Sequence, residues 1–146
     1  MKHLVAALGL LIFSISACSK EKVSITPDPP IEIPFTGDWS RQFEAGPGNL
    51  HTVHNLIYQD RLRNTLEGSI GVANYVMIRD TFLSEDNRYI GHTPDDQYYL
   101  LFTKVLDDKS ISIYKQIVED IDQGLDLTVP PASTTINHGW NTYEKQ

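Results

Sequence analysis

The chain has 146 residues, of which 12 are basic and 19 acidic, and it contains a single cysteine. That length suits one compact domain. A formal net charge of −7 excludes a nucleic-acid reader, because such proteins concentrate Lys and Arg against phosphates. One cysteine excludes an internal disulfide framework and a thiolate-rich metal site.

The N-terminus has the features of a secretory signal. Lys2 supplies positive charge, and residues 4–15 form an apolar run that is shorter than the roughly 20 residues of a membrane span. The following Ile15-Ser16-Ala17-Cys18 resembles the bacterial lipobox, in which cleavage precedes a cysteine that takes lipid. We therefore expect 1–17 to be a lipoprotein signal peptide and Cys18 to carry lipid such as palmitate. The alternative is an ordinary signal cleaved at another site.

The segment after the cysteine predicts a tether and a location. Ser19 is typical of sorting to the outer membrane of a didermal bacterium, where the protein faces the periplasm or the cell surface. Several acyl chains on one cysteine hold a protein on a membrane. Residues 18–35 contain four prolines within eight positions, which favours an extended spacer. We expect the folded domain to occupy 36–146.

The domain sequence is rich in β-branched and aromatic residues with turn residues at short intervals, which predicts an all-β antiparallel sandwich or barrel with little helix. One stretch, 114–123, is ambiguous: the alternation of Ile111, Ile113 and Ile117 favours a strand, whereas Ile117, Val118, Ile121 and Leu125 also suit a helical face. The predicted strands are 39–44, 50–58, 64–70, 72–82, 88–91, 97–106 and 110–118.

Two predicted strands are apolar on both faces. In 72–82, Val72, Val76, Ile78 and Phe82 alternate with Ala73, Tyr75 and Met77. In 97–106, Tyr98, Leu100 and Phe102 alternate with Tyr99, Leu101 and Val105. Because a half-solvated strand alternates apolar with polar residues, something must cover the second face. The candidates are another layer of the domain, a partner, a membrane surface or an apolar ligand.

The residues suited to metal binding or catalysis form no convincing constellation. His51 and His54 point to opposite faces of a strand, His3 leaves with the signal, and His92 and His138 fall in predicted loops. Asp120, Asp122 and Asp126 approximate a calcium loop, but Gly124 comes one place early, which favours a solvated acidic turn. Arg79 and Asp80 are either a buried pair or the polar end of their strand. The chain has no nucleophile elbow and no phosphate loop, so we expect no enzyme, no metal and no cofactor.

A longer pattern spans the first half of the domain. Gly37-x-Trp39 is common to lipocalins and other calycins. The string Trp-Ser-x-Gln-x-Glu-x-x-Pro, an aromatic-Asp step and Asn-Thr-x-Glu-Gly together resemble the APCDD (adenomatosis polyposis coli down-regulated) domain, as does the late strand from Tyr98 to Lys104. The matching positions, taken as fold markers, are Trp39, Gln42, Glu44, Pro47, Asn64, Thr65, Glu67 and Gly68.

This resemblance implies an antiparallel β-barrel or half-barrel with an apolar cavity for lipid-like groups. Phe43 stands where that family has a cysteine, and the bacterial lipobox makes a Wnt partner implausible. The hypothesis is a membrane-tethered lipoprotein that binds a hydrophobic or lipid-like ligand. The alternatives are a structural or protein-interaction lipoprotein and, third, a hydrolase; the oligomeric state stays open. The predicted ligand-binding residues are Tyr75, Met77, Tyr98, Leu100 and Phe102.

Overall fold

The structure, a computed structural model, describes residues 31–68, 71–131 and 139–146. It confirms the predicted all-β class, because within those ranges one six-residue helix accompanies eight strands. The elements in chain order are β1 (Gly37–Glu44), β2 (Leu50–Ile57), β3 (Arg61–Gly68), β4 (Gly71–Leu83), β5 (Arg88–His92), β6 (Tyr98–Val105), β7 (Ser110–Val118), α1 (Ile121–Asp126) and β8 (Asn141–Lys145).

The eight strands form one closed up-and-down barrel. Each strand pairs antiparallel with the next, and β8 returns to pair with β1 through Trp39 and Lys145. Closure satisfies strand edges that a half-barrel would leave unpaired. β8 was not among the predicted strands, because its polar sequence shows little apolar alternation and only Tyr143 is buried.

One end of the barrel, which we term the closed end, is filled by the segment that precedes β1. Ile33 and Phe35 are buried with Trp39, whose indole Nε1 donates a 2.8 Å hydrogen bond to the carbonyl oxygen of Phe35. The amide of Gln59 bonds both backbone groups of Ile33, at 2.9 and 3.2 Å. Ile33 and Phe35, which the sequence assigns to the spacer, are thus part of the core of the described structure.

A β-bulge in β4 corrects the predicted faces of that strand. The register between β4 and β5 shifts between Arg79 and Thr81. The extra residue reverses the inward and outward alternation of the side chains that follow it. Phe82 therefore lies on the inner face with Met77, whereas the sequence places it on the same face as Ile78. Gly91 lies opposite, where an added Cβ would come within 2.2 Å of the Ile78 carbonyl oxygen. The bulge thus requires glycine at that position.

The second apolar face of β6 is covered by the chain itself. Leu100 and Phe102 point outward and are fully buried in an outer cluster with Ile90 and Val118, against which Ile121, Leu127 and Trp140 pack. The ambiguous stretch 114–123 is therefore a strand to Val118 and helical from Ile121. The outer face of β4 differs, because Val72, Val76 and Ile78 are 64%, 37% and 47% exposed.

Candidate functional site

The structure does not bring the five predicted ligand-binding residues together. Tyr75 and Met77 lie on the inner face of β4, where Met77 is fully buried in the core. Tyr98, Leu100 and Phe102 lie on the outer face of β6, in or against the outer cluster. The inner face of β6 is instead formed by Tyr99 and Leu101. Both faces of this strand are apolar in the sequence, so its alternation alone does not indicate which one points inward.

A cavity of about 630 Å³ occupies the barrel end opposite the closed end. We term it the mouth cavity. Phe43, Val53, Leu66 and Ile113 supply apolar side chains to its wall, from four different strands. Its volume falls within the range of small-molecule sites. The barrel interior is thus filled with side chains at one end, and a pocket open to solvent lies at the other.

Lys115 of β7 extends into the mouth cavity above two tyrosines. Its Nζ donates a 2.7 Å hydrogen bond to the Tyr75 hydroxyl oxygen and lies 5.0 and 5.6 Å from the ring centroids of Tyr75 and Tyr99. These rings stack with centroids 5.0 Å apart and planes 7° apart. Desolvation, together with the charge of Arg41, lowers the pKa of Lys115 to about 8. The Lys115 side chain is still exposed to solvent, because the cavity that it lines is open.

Arg41 of β1 is the second cation of the cavity. Its guanidinium carbon lies 4.7 Å from the Phe43 ring centroid and 5.6 Å from that of Tyr143. Its Nε is buried and has no hydrogen-bond partner among the residues that the structure describes. Neither Arg41 nor Lys115 forms a salt bridge within the described ranges, and no Asp or Glu lines the cavity there. The described wall of the mouth cavity therefore holds two cations and no carboxylate.

The sequence pattern indicates that both cations face inward, although neither is among the predicted site residues. Arg41 follows Trp39 by two residues and precedes Phe43 by two, and Lys115 continues the alternation of Ile111 and Ile113. A charged residue in phase with the inward-facing apolar side chains of a strand is the expected mark of a polar group inside a barrel.

Polar and aromatic groups line the wall around the cations. Asn64 is buried and donates a 2.8 Å hydrogen bond to the Asn55 side-chain oxygen. Phe43 stacks on His51 with centroids 5.4 Å apart, and the imidazole leaves no room for a Cβ on Gly68, which would come within 2.3 Å of its Nδ1. The matched positions Asn64 and Gly68 thus have direct packing roles at this end of the barrel.

The other fold markers are divided between the two faces and the end of β1. Trp39 fills the closed end. On the outer face, Gln42 donates a 3.4 Å hydrogen bond to the Thr52 hydroxyl, and Thr65 and Glu67 flank the inward-facing Leu66. Glu44 ends β1 and Pro47 lies in the exposed turn that follows. The outer positions contribute no atoms to the barrel interior.

The described histidines lie apart from one another on the barrel. His51 faces inward and His54 outward, so the two lie on opposite faces of the strand, as their spacing predicts. The His54 Nδ1 lies 3.6 Å from an Asp38 carboxylate oxygen. His92 ends β5 and is not in a loop, and its Nδ1 lies 2.8 Å from Asp80. Among the described residues no three His, Cys, Asp or Glu are grouped to hold a metal ion.

The acidic stretch beyond β7 begins a helix and is not a turn. Asp120 is the N-cap of α1, and its carboxylate accepts a 2.8 Å hydrogen bond from the Gln123 backbone. Asp122 then lies in the first turn, where a negative charge is favourable. The deviation of this stretch from a calcium loop thus has a structural explanation.

Several sequence predictions fall outside the described residues. These are the signal peptide, the lipidation site Cys18, the tether up to residue 30, His3 and His138. In the part of the chain that the structure does describe, no helix has the length and apolar character needed to cross a bilayer.

Comparisons with protein-family models, with curated proteins and with solved structures find no match to this chain.

Proposed function

We propose that this protein is a membrane-tethered lipoprotein whose β-barrel binds a small molecule with a substantial apolar part. The mouth cavity carries this proposal, because it combines a volume of about 630 Å³ with apolar wall residues such as Phe43, Val53 and Leu66. Transfer of apolar surface from water into such a cavity supplies the driving force for binding. The lipobox at Ile15–Cys18 supports the membrane tether.

A fluorescent apolar probe tests the binding function directly. N-phenyl-1-naphthylamine, which brightens on leaving water, would be titrated against the full chain carrying Cys18→Ser, so that no acyl chains compete. We expect saturable binding of one probe per chain. The variant Leu66→Trp, which fills part of the cavity, should weaken binding by about tenfold or more.

Matched variants separate cavity filling from general damage. Leu50 is exposed at the same barrel end, so Leu50→Trp should leave probe affinity within about twofold. Leu66→Phe fills less volume and should fall between Leu66→Trp and the parent. Absence of saturable binding by a parent protein with a β-type circular dichroism spectrum would contradict the proposal, as would equal binding by all variants.

The outer face of β4 favours a second candidate function, that of a protein-interaction lipoprotein. Val72, Val76 and Ile78 lie in a row on this face and are substantially exposed. Such apolar surface is typical of association sites. Sedimentation of the same Cys18→Ser sample separates the candidates: a stable dimer that Val76→Lys dissociates, with no probe binding, favours interaction.

A further inference from the structure

The distribution of charge around the mouth cavity is unusual for an acidic chain. The sequence contains 19 acidic residues against 12 basic ones. The described wall of the cavity nevertheless includes Arg41 and Lys115 and no acidic residue. Cations that are partly removed from water are ordinarily paired with a carboxylate or another anion. The cavity thus has the opposite electrostatic character to the rest of the protein.

The two cations also affect one another. The positive charge of Arg41 contributes to the lowered pKa of Lys115, which means that the ammonium is held in a repulsive environment. The buried Nε of Arg41 has no hydrogen-bond acceptor among the described residues. An anion bound by both side chains would offset this repulsion.

The donors of this cluster are oriented by aromatic rings. Lys115 has three N–H donors, of which the Tyr75 hydroxyl accepts one, and the Arg41 guanidinium lies over the Phe43 ring. Both cations line the same cavity as the apolar residues Phe43, Val53 and Leu66. A cationic cluster next to an apolar wall is complementary to a molecule with an acidic head and an apolar chain.

We infer that the mouth cavity binds amphiphiles with an anionic oxygen head group, and that Arg41 and Lys115 bind that head group. The inference rests on the proposed function and specifies the chemical class of its ligand. A carboxylate and a phosphate monoester share the required chemistry. In either case the head group accepts hydrogen bonds from both cations while the apolar chain lies against Phe43 and Leu66.

Three ligands with the same hydrocarbon tail but different head groups test this inference: oleate, oleyl phosphate and oleyl alcohol. Each is used to displace N-phenyl-1-naphthylamine from the full-length protein carrying Cys18→Ser. We expect at least one acid to bind about tenfold or more tightly than the alcohol. The tighter of the two acids identifies the head group. In Arg41→Met and in Lys115→Met, the ratio of acid affinity to alcohol affinity should fall by about tenfold.

Arg63→Met is the matched control, because Arg63 is exposed on the outer face of β3. This substitution should leave the ratio of acid affinity to alcohol affinity within about twofold of the parent value. If the alcohol binds as tightly as both acids, or the preference survives both cation variants, the inference is wrong while the proposed function stands. If the probe and all three ligands fail to bind, the proposed function itself is wrong.

Discussion

At the residue scale, the environment of Lys115 affects the stability of the fold. Its pKa in the folded protein is about 8, below the usual range of a lysine. Below pH 8 the side chain is charged in both states, so the folded state bears the cost of partly desolvating the ammonium, a cost that its contact with solvent reduces. Between about pH 8 and about pH 10.4 the folded protein binds fewer protons than the unfolded chain, and this group makes stability rise with pH.

We therefore predict that Lys115→Met stabilises the ligand-free protein. Near pH 7 the variant should melt at least about 2 °C above the parent, because a charge without a carboxylate partner is removed. Near pH 10 the two melting temperatures should converge, since the parent ammonium is then largely deprotonated. Thermal unfolding followed by circular dichroism at both pH values measures this difference.

The outer-face variant Arg63→Met provides the reference for that measurement. Because Arg63 is exposed, its substitution should shift the melting temperature by less than about 1 °C. A Lys115→Met protein that melts below the parent near pH 7 would show that the bond to Tyr75 outweighs the desolvation of the ammonium.

At the element scale, α1 depends on Arg88 for its position. Six residues are too few for an isolated helix to be stable in water. The buried Arg88 guanidinium donates hydrogen bonds to the carbonyls of Gly124 and Leu125, and it lies 4.9 Å from the Phe102 ring centroid and 2.7 Å from an Asp86 oxygen. Arg88 thus joins the helix to the outer cluster.

We predict that Arg88→Met destabilises the protein by about 3 kcal/mol, because the α1 carbonyls lose their donors and the partly buried Asp86 loses its counter-charge. Urea unfolding at neutral pH gives the magnitude. Arg61→Met removes an ion pair of similar type that is exposed, 3.2 Å from Asp60, and should cost less than about 1 kcal/mol. Equal losses in the two variants would contradict the role assigned to Arg88.

The strands were predictable to the extent that their own side chains alternate. Ile111 and Ile113 placed β7 correctly, whereas β8 has one buried apolar residue and forms because closure of the barrel supplies its partners. The bulge at Arg79 that turns Phe82 inward has no local sequence mark. The site was predictable only in part: Tyr75 does contact Lys115, but Leu100 and Phe102 are buried beneath a helix that the sequence left ambiguous.

At the scale of the whole molecule, the proposed lipid anchor makes a prediction about location. Cys18→Ser removes the sulfur that would carry the acyl chains, so the protein should move from the membrane fraction to the soluble fraction. Cell fractionation and immunoblotting measure this shift. Ser19→Ala keeps the cysteine and should retain the protein on membranes. Full membrane retention of Cys18→Ser would contradict the lipobox interpretation.

The attachment of the chain and the proposed binding of ligand would take place at opposite ends of the barrel. The chain enters at the closed end, where the Gln59 amide holds both backbone groups of Ile33. Tension transmitted through an anchor upstream of residue 31 would act first on this clamp and on the packing around Trp39. The mouth cavity opens at the opposite pole of the barrel. A protein held by its closed end could therefore exchange ligand without disturbing its attachment.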